Sequence, residues 1–239
     1  MKYYSYLILL SSLCSCEENG MEEATSFETV APFHTLELNS VFEVYLIQDT
    51  LNAVKIECHR DGIKDALLTE ENGILRISNR STGKWLKPEK NRVKLYIHSN
   101  SLREVVLNET CYIKTINPIT RDEFRIVMGH PTKLSAIELE LNCKSFLYWN
   151  NYQCGGKVTL TGRAENLLIY SFALMTVDAS ALETDYTLIE NHSKGDSRVR
   201  VENTLEYSIH GVGNIYLYGN PPEIIAHEVT SSGQLIHMD

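Results

Sequence analysis

Carboxylates and arginines that could perform acid–base catalysis are concentrated between residues 178 and 200. A β-helical polysaccharide lyase or hydrolase would use such carboxylates for calcium binding or catalysis, with an arginine or lysine as base, on neighbouring coils. The candidates by position are Asp178, Glu183, Asp185, Asp196, Arg198 and Arg200. These residues would lie together only if the chain folded into repeating coils that aligned them. A non-catalytic protein is therefore the expectation, and a carbohydrate-active enzyme is the alternative.

The motifs of several other chemistries are absent from the sequence. The eight histidines show no His-Glu-x-x-His pattern or paired metal-ligand spacing, so neither a metal nor another cofactor is predicted. The stretch that begins at Gly211, Gly-Val-Gly-Asn, lacks the third glycine and the following helix of a dinucleotide-binding loop. With 31 acidic against 22 basic residues, a net charge of −9 and no basic block, the chain is not expected to bind nucleic acid.

Four of the six cysteines lie in the body of the chain, at Cys58, Cys111, Cys143 and Cys154. Their spacing gives no Cys-x-x-Cys pair and no zinc pattern, and four cysteines permit three complete disulfide pairings. Because a free cysteine behaves as a small apolar side chain, we expect these four to be buried.

The N-terminus has the features of a bacterial export signal. Lys2 precedes a short apolar run, and no later stretch is apolar enough to seek a membrane, which excludes a multi-pass membrane protein. The run Leu13-Cys14-Ser15-Cys16 resembles a lipobox, with small residues before the cysteine that receives the lipid. We predict a lipoprotein signal peptide over residues 1–15, lipid attachment at Cys16, and a flexible acidic tether over residues 16–26.

A plain secretory signal is the alternative interpretation of this segment. Lipid attachment at Cys16 would anchor the protein in the outer membrane. The acidic residues that follow Cys16 resemble the signal that sends some bacterial lipoproteins to the cell surface. Both the cell surface and the periplasmic face remain open as locations.

From Phe27 onward the sequence consists of short β-type segments separated by turn residues. Apolar and polar side chains alternate in Phe42–Ile47, as they do in a strand with one buried face. Residues 62–71 could form a short helix or a strand partner for residues 74–77, with a hairpin turn at Asn72-Gly73. The pattern predicts an all-β body.

A repeat of about twenty residues runs through the C-terminal half of the chain. Its apolar segments begin near Val105, Phe124, Phe146, Leu167, Thr187 and Tyr207. A polar turn and a second apolar segment follow each one, and two strands per repeat are typical of a β-solenoid. A β-sandwich, the alternative, usually has turns every 8–12 residues or so without the doubled segment. We predict N-terminal strands over residues 27–100 and regular coils of about 20 residues over residues 101–239.

Aromatic residues fall at related positions in successive repeats and could form an exposed binding face. The candidates are Tyr148, Trp149, Tyr152, Tyr170, Tyr207, Tyr216 and Tyr218. Stacked on the outside, these rings could contact a carbohydrate or a protein. Stacked on the inside, the same rings would be part of the core.

The C-terminal sequence His210-Gly-Val-Gly-Asn-Ile-Tyr-Leu-Tyr-Gly-Asn-Pro221 resembles the Gly-x-Gly-x-Ile-x-Tyr-x-Gly-x-Pro signature of the head GIN domain family. These are bacterial exported proteins described as auto-transporter adhesins. Strand patterns at residues 33–48, 73–77 and 93–98 also match the family in order, so the resemblance covers residues 27–239. It implies a right-handed, parallel β-helix-like solenoid.

Together, the signal and the resemblance imply a cell-envelope lipoprotein whose non-catalytic domain serves adhesion or ligand binding. The expected partners are the membrane, through the lipid anchor, and a glycan or an envelope protein. A periplasmic scaffold or sensor partner is the alternative. Gly211 and Gly213 suit a tight corner of the coil that requires a positive φ or a close approach of two backbones.

Overall fold

The computed structural model describes residues 23–80 and 92–238, which form one coiled β-sheet of 16 strands. A 3₁₀-helix, Arg60–Asp65, lies between β4 and β5, and no helix in the described ranges is long and apolar enough to cross a membrane. The strands are β1 Glu23–Thr29, β2 Thr35–Leu38, β3 Phe42–Ile47, β4 Ala53–His59, β5 Ala66–Glu71, β6 Ile74–Asn79, β7 Val93–His98, β8 Glu104–Leu107, β9 Cys111–Thr115, β10 Ile119–Met128, β11 Ser135–Asn150, β12 Gly155–Ser193, β13 Ser197–Ile209, β14 Ile215–Tyr218, β15 Glu223–Val229 and β16 Leu235–His237.

Successive coils pair in parallel, and equivalent positions of neighbouring coils lie side by side. Ile126 of β10 pairs with Tyr148 of β11, and Tyr148 pairs in turn with Ile169 of β12. The separation in sequence between paired residues is smaller near the C-terminus, where Thr187 pairs with Leu205. The chain is a β-solenoid of about six turns with coils of roughly 21 residues, which confirms the predicted fold class. The strands from β8 through β16 pair with one another in parallel. This arrangement contradicts the sandwich alternative.

Two rows of paired segments form two faces of the solenoid. Face A consists of residues 104–107, 125–128, 147–150, 168–170, 187–191, 205–209 and 224–229. Face B consists of residues 42–46, 111–115, 135–138, 156–159, 177–179, 197–200, 215–218 and 235–237. The long strands β11, β12 and β13 contribute to both faces because they continue around the corners of the coil.

Antiparallel strands occur only in the N-terminal part of the described sheet, where β1 pairs with β4, β4 with β7, and β5 with β6. Residues 62–71 divide between the end of the 3₁₀-helix and β5, and Asn72 and Gly73 form the β5–β6 turn with φ values of 54° and 75°. Residues 23–26, which the sequence prediction included in the tether, lie in β1. Sequence reasoning missed them because β1 is mostly exposed and lacks alternating apolar residues.

The core consists largely of alternate side chains along the coils, and inward positions pack on the equivalent positions of the next coil. Phe124 and Phe146 illustrate this, since both are buried and their rings stack with centroids 6.2 Å apart. Burying one such side chain contributes about 1.5–3 kcal/mol relative to leaving it exposed. A coil therefore gains most of its stability from its neighbours.

Glycines and a buried asparagine build the corner between face A and face B. A Cβ atom on Gly213 would lie 2.1 Å from the carbonyl oxygen of Gly195, one coil earlier. Asn191 is fully buried there, accepts a hydrogen bond from Ser171 Oγ at 3.1 Å, and donates one to the carbonyl of Gly213 at 2.8 Å. The sequence suggested that this glycine is required either for a positive φ or for a close approach of two backbones. The close approach is what the structure shows at Gly213.

All four cysteines of the described body are buried free thiols, which confirms the expectation from their spacing. Burial raises the pKa of Cys111 and of Cys143 to about 12. A thiol with such a pKa is almost entirely protonated at neutral pH, so these side chains act as small core residues.

The glycine corner predicts that Gly213→Ala is destabilising. The added methyl group would overlap the backbone of Gly195, so we expect the free energy of unfolding to fall by about 1–3 kcal/mol in urea denaturation. Gly62→Ala is the matched control, because its Cβ would lie 3.7 Å from its nearest neighbour, Cys58 Sγ. Equal losses for the two variants would contradict the corner's role.

Candidate functional site

Five rings lie in two adjacent stacks, one on the outer side of face A and one on the corner beside it. The indole of Trp149 lies against Tyr170, with centroids 4.5 Å apart and planes tilted by 42°. Phe172 lies 6.3 Å from His192, and His192 stacks on His210 at 4.3 Å and 21°. We call these five residues the ring ladder. His192 is exposed and the other four are half-buried, so each ring is partly open to solvent.

The first three rings lie on the same side of the sheet for two reasons, the register between coils and the alternation of side chains along a strand. Trp149 and Tyr170 are register partners in neighbouring coils. Tyr170 and Phe172 are two residues apart and therefore project from the same side of β12. Ser171 between them is buried. One strand thus presents two of its rings outward while it contributes a hydroxyl to the interior.

The two histidines are positioned by the asparagine corner. Ser171 Oγ donates to Asn191 Oδ1, which places Asn191 one coil after Ser171 and His192 one coil after Phe172. Asn191 pairs with Ile209, so His210 occupies the next equivalent position. The stack of His192 on His210 therefore follows from the parallel register.

The backbone beside Phe172 is in an unusual conformation. Ala173 has a φ of 65°, in the left-handed region that side chains with a Cβ seldom adopt. Its carbonyl accepts hydrogen bonds from the amide of Lys194 at 2.7 Å and from Ser193 Oγ at 3.2 Å. These bonds from the next coil hold the turn next to the ring ladder.

Polar groups border the histidine end of the ladder. Glu190 Oε1 accepts a hydrogen bond from Ser208 Oγ at 3.1 Å. His210 Nε2 lies 3.9 Å from Glu190 Oε2 and 3.9 Å from Glu228 Oε2, while its Nδ1 lies 2.9 Å from Thr230 Oγ1. Partial burial and the neighbouring His210 lower the pKa of His192, against the opposing effect of Glu190.

Two of the predicted binding-face residues are directed into the solenoid. Tyr148 is fully buried, with 0% of its surface exposed, so its assignment to an exposed face is wrong. It pairs with the buried Ile169 and follows the inward phase of β11, whereas Trp149, its neighbour, follows the outward phase. Tyr207 pairs with buried Ile189 and packs, half-buried, against the core.

The remaining predicted residues lie elsewhere on the surface. Tyr216 and Tyr218 belong to face B, where the guanidinium groups of Arg198 and Arg200 lie over their rings at 4.9 and 5.8 Å. Tyr152 is 41% exposed and stacks on His130 with centroids 6.1 Å apart. The predicted set is therefore divided among the core, face A, face B and a corner, and of its members only Trp149 and Tyr170 belong to the ring ladder.

The acids proposed for catalysis are engaged by neighbours in the stack. Asp178 lies 3.2 Å from Lys157 Nζ and accepts a hydrogen bond from Ser180 Oγ at 2.8 Å. Burial raises the pKa of Asp178, but the hydrogen bonds from Ser180 and Lys157, together with the positive charge of Lys157, outweigh that effect and leave the pKa lowered. Arg163 is within 3.1 Å of both carboxylate oxygens of Asp185. These contacts favour a structural role for both acids.

The other four candidates show the same pattern. Asp196 Oδ1 accepts the backbone N–H of Asn214 at 2.9 Å, and Asp196 Oδ2 lies 3.9 Å from Arg198. Arg200 donates to the carbonyl of Ser180 at 3.1 Å. Glu183 lies 3.7 Å from the same Arg163 that binds Asp185. Most of these contacts join residues of adjacent coils.

Sequence reasoning missed the histidine stack, and the coil period was the signal that could have found it. The separation of His192 from His210 along the chain equals the local offset between β12 and β13, as in the pairing of Thr187 with Leu205. A search for metal-ligand spacing along the chain does not detect residues separated by a whole coil. Phe172 follows Tyr170 by two residues in the sequence, but its contact with His192 depends on the same kind of offset.

The fold and surface define an all-β solenoid with ladders of rings and ion pairs on its outer faces. Over residues 32–221 the sequence matches the family described as "Putative auto-transporter adhesin, head GIN domain", and the chain belongs to that family. This confirms the resemblance seen in the sequence motifs. No curated protein matches the sequence.

Several crystal structures share the fold. One described as a "putative adhesin" from Bacteroides fragilis has a TM-score of 0.77 at 17% identity, covering 92% of this chain and 98% of its own. A "putative adhesin" from Parabacteroides merdae has a TM-score of 0.57 at 14% identity, with the same coverages. A "putative lipid binding protein" from Parabacteroides distasonis has a TM-score of 0.59 at 16% identity, again covering 92% and 98%. At these identities the similarity establishes the fold alone.

The placement of Tyr148 in the core predicts that its hydroxyl does not stabilise the protein. This oxygen is buried and has no hydrogen-bond partner among the described residues. We expect Tyr148→Phe to leave the free energy of unfolding unchanged or to raise it by about 1 kcal/mol. In Tyr112→Phe, the control, the hydrogen bond to Glu138 at 3.2 Å is lost and a small decrease is expected. A large loss of stability in Tyr148→Phe would contradict the prediction.

Proposed function

We propose that the protein is a non-catalytic, adhesin-like binding protein of the cell envelope that contacts its ligand through the ring ladder. The pairing of Trp149 with Tyr170 on the outer side of face A carries the proposal. Partly exposed aromatic rings offer large contact areas at a small cost in side-chain entropy. Membership of a family described as adhesins supports a binding role rather than catalysis.

A glycan is the ligand class that this surface favours. The rings are distributed over four successive coils, so an extended chain could lie across several of them. Acceptors lie beside the histidines, since Glu190 Oε2 and Glu228 Oε2 are each 3.9 Å from His210 Nε2. A few fixed polar groups among apolar rings would orient the hydroxyl groups of a sugar. An envelope protein is the alternative ligand.

Glycan binding is tested by screening the protein on a glycan array and then measuring the affinity for a retained glycan. We expect Trp149→Ala to weaken the affinity at least about tenfold, which corresponds to roughly 1.4 kcal/mol, since the ring supplies contact area. Tyr216→Ala is the matched control because that ring lies on face B. Equal losses in both variants, or capture of an envelope protein with no glycan retained, would contradict the proposal.

The membrane anchor is a second part of the proposed function. Residues 1–15 and Cys16 lie outside the described residues, so the support comes from the lipobox-like sequence. A diacylglycerol group on the Cys16 thiol, with acylation of the new N-terminus, would give several acyl chains and stable attachment to the outer membrane. The first described strand, β1, starts at Glu23, a few positions after that cysteine in the sequence.

Replacement of the anchor residue tests this assignment. We expect Cys16→Ser to move the protein from the membrane fraction to the soluble fraction, because the thiol that receives the lipid is lost. Cys14→Ser should remain in the membrane fraction. If the Cys16→Ser protein stays membrane-bound, the anchor lies elsewhere. Protease treatment of intact cells then separates surface display, which predicts cleavage, from a periplasmic scaffold or sensor partner, which predicts protection.

A further inference from the structure

Three potential metal ligands meet at the corner of the solenoid. The ligand atoms of Glu190, His192 and His210 all lie within 4.8 Å of one another. Glu228 extends the group, since its Oε2 is 3.9 Å from His210 Nε2. Adjacent coils supply the four side chains, from β12, from β15, and from the residue that directly follows β13. The cluster therefore exists only in the folded stack.

The hydrogen bonds around the cluster leave Oε2 of Glu190 and, in one tautomer, Nε2 of His210 free to bind a metal ion. Thr230 Oγ1, 2.9 Å from His210 Nδ1, can accept a hydrogen bond from that nitrogen. The tautomer that donates from Nδ1 leaves the lone pair of Nε2 directed at the two carboxylates. Ser208 Oγ donates to Glu190 Oε1 at 3.1 Å and leaves Glu190 Oε2 facing His210. Metal-bound histidines and carboxylates are typically held by such outer hydrogen bonds.

We propose that Glu190, His192 and His210, with Glu228 as a fourth ligand, bind a divalent transition metal ion such as Zn²⁺. Two imidazole nitrogens and two carboxylate oxygens are a suitable tetrahedral ligand set for this ion. At bond lengths of about 2.0–2.2 Å the ligand atoms would lie roughly 3.3 Å apart, so the side chains must close inward by about 1 Å. His192 is exposed, which allows its ring to turn from the stack toward the metal.

The donor set selects against the common hard cations. Ca²⁺ takes six to eight oxygen ligands or so, and Mg²⁺ prefers octahedral oxygen coordination with several waters. Two imidazoles and two carboxylates provide too few oxygens for either ion. A bound transition metal would link β12 to the chain after β13 and to β15, and so would hold three coils together at the end of the ring ladder.

The test is calorimetric titration of the untagged full-length protein with ZnCl₂ in detergent, after treatment with EDTA. We expect one site per chain, and at least about a tenfold weaker affinity in His192→Ala and in His210→Ala, because even an outer-shell partner of a metal ligand is typically worth 10–100-fold. His227→Ala is the matched control, since this half-exposed histidine pairs with Glu206 outside the cluster. Its affinity for Zn²⁺ should equal that of the unmodified protein.

A second measurement keeps the outcome independent of folding defects. Glu228 is 64% exposed, so Glu228→Gln should fold normally and weaken Zn²⁺ binding without abolishing it. Co²⁺ added to the unmodified protein should give the visible absorption of a tetrahedral site, and Zn²⁺ should remove it. Absence of Zn²⁺ binding, equal binding by a folded His192→Ala/His210→Ala protein, or displacement of Zn²⁺ by equimolar Ca²⁺ would overturn the proposal.

Discussion

Parallel stacking of coils, close to register, is the constraint on which the rest of this structure depends. Each inward side chain packs on the equivalent side chain one coil away, as Phe124 does on Phe146. No coil can bury its apolar residues alone, so the coils are stable only together. The same register places outward side chains in rows, and the rows of rings and ion pairs on faces A and B are a direct consequence.

Successive coils are also joined by backbone and side-chain contacts at the corner between face A and face B. At the corner between the faces, the backbone at Gly213 passes so close to Gly195 that a Cβ atom would overlap a carbonyl oxygen. Asn191 adds side-chain hydrogen bonds to the coils before and after it. A rigid corner of this kind fixes the direction of the residues on either side of it, which is why His192 and His210 can stack.

The acids and the rings on the resulting surface differ in their surroundings. The acids that could have formed a catalytic group, such as Asp178 and Asp185, are held by basic or hydroxyl side chains in the stack. The ring ladder, in contrast, leaves five rings partly open to solvent. This contrast agrees with membership of a family described as adhesins.

The sequence by itself determined the all-β class, the coil length near twenty residues and the family, because alternation and period are local properties of the chain. It also predicted the buried cysteines. The tertiary structure alone decided which aromatic residues share a surface. Tyr148 and Trp149 are neighbours in sequence, yet one is in the core and the other is outside, because a shift of one residue reverses the face of a strand. Contacts such as His192 with His210 depend on an offset that differs from one pair of coils to the next. Irregularities in the pairing of β12 with β13, between Ala179 and Glu183 and between Thr184 and Tyr186, shorten that offset, and they form only in the folded stack.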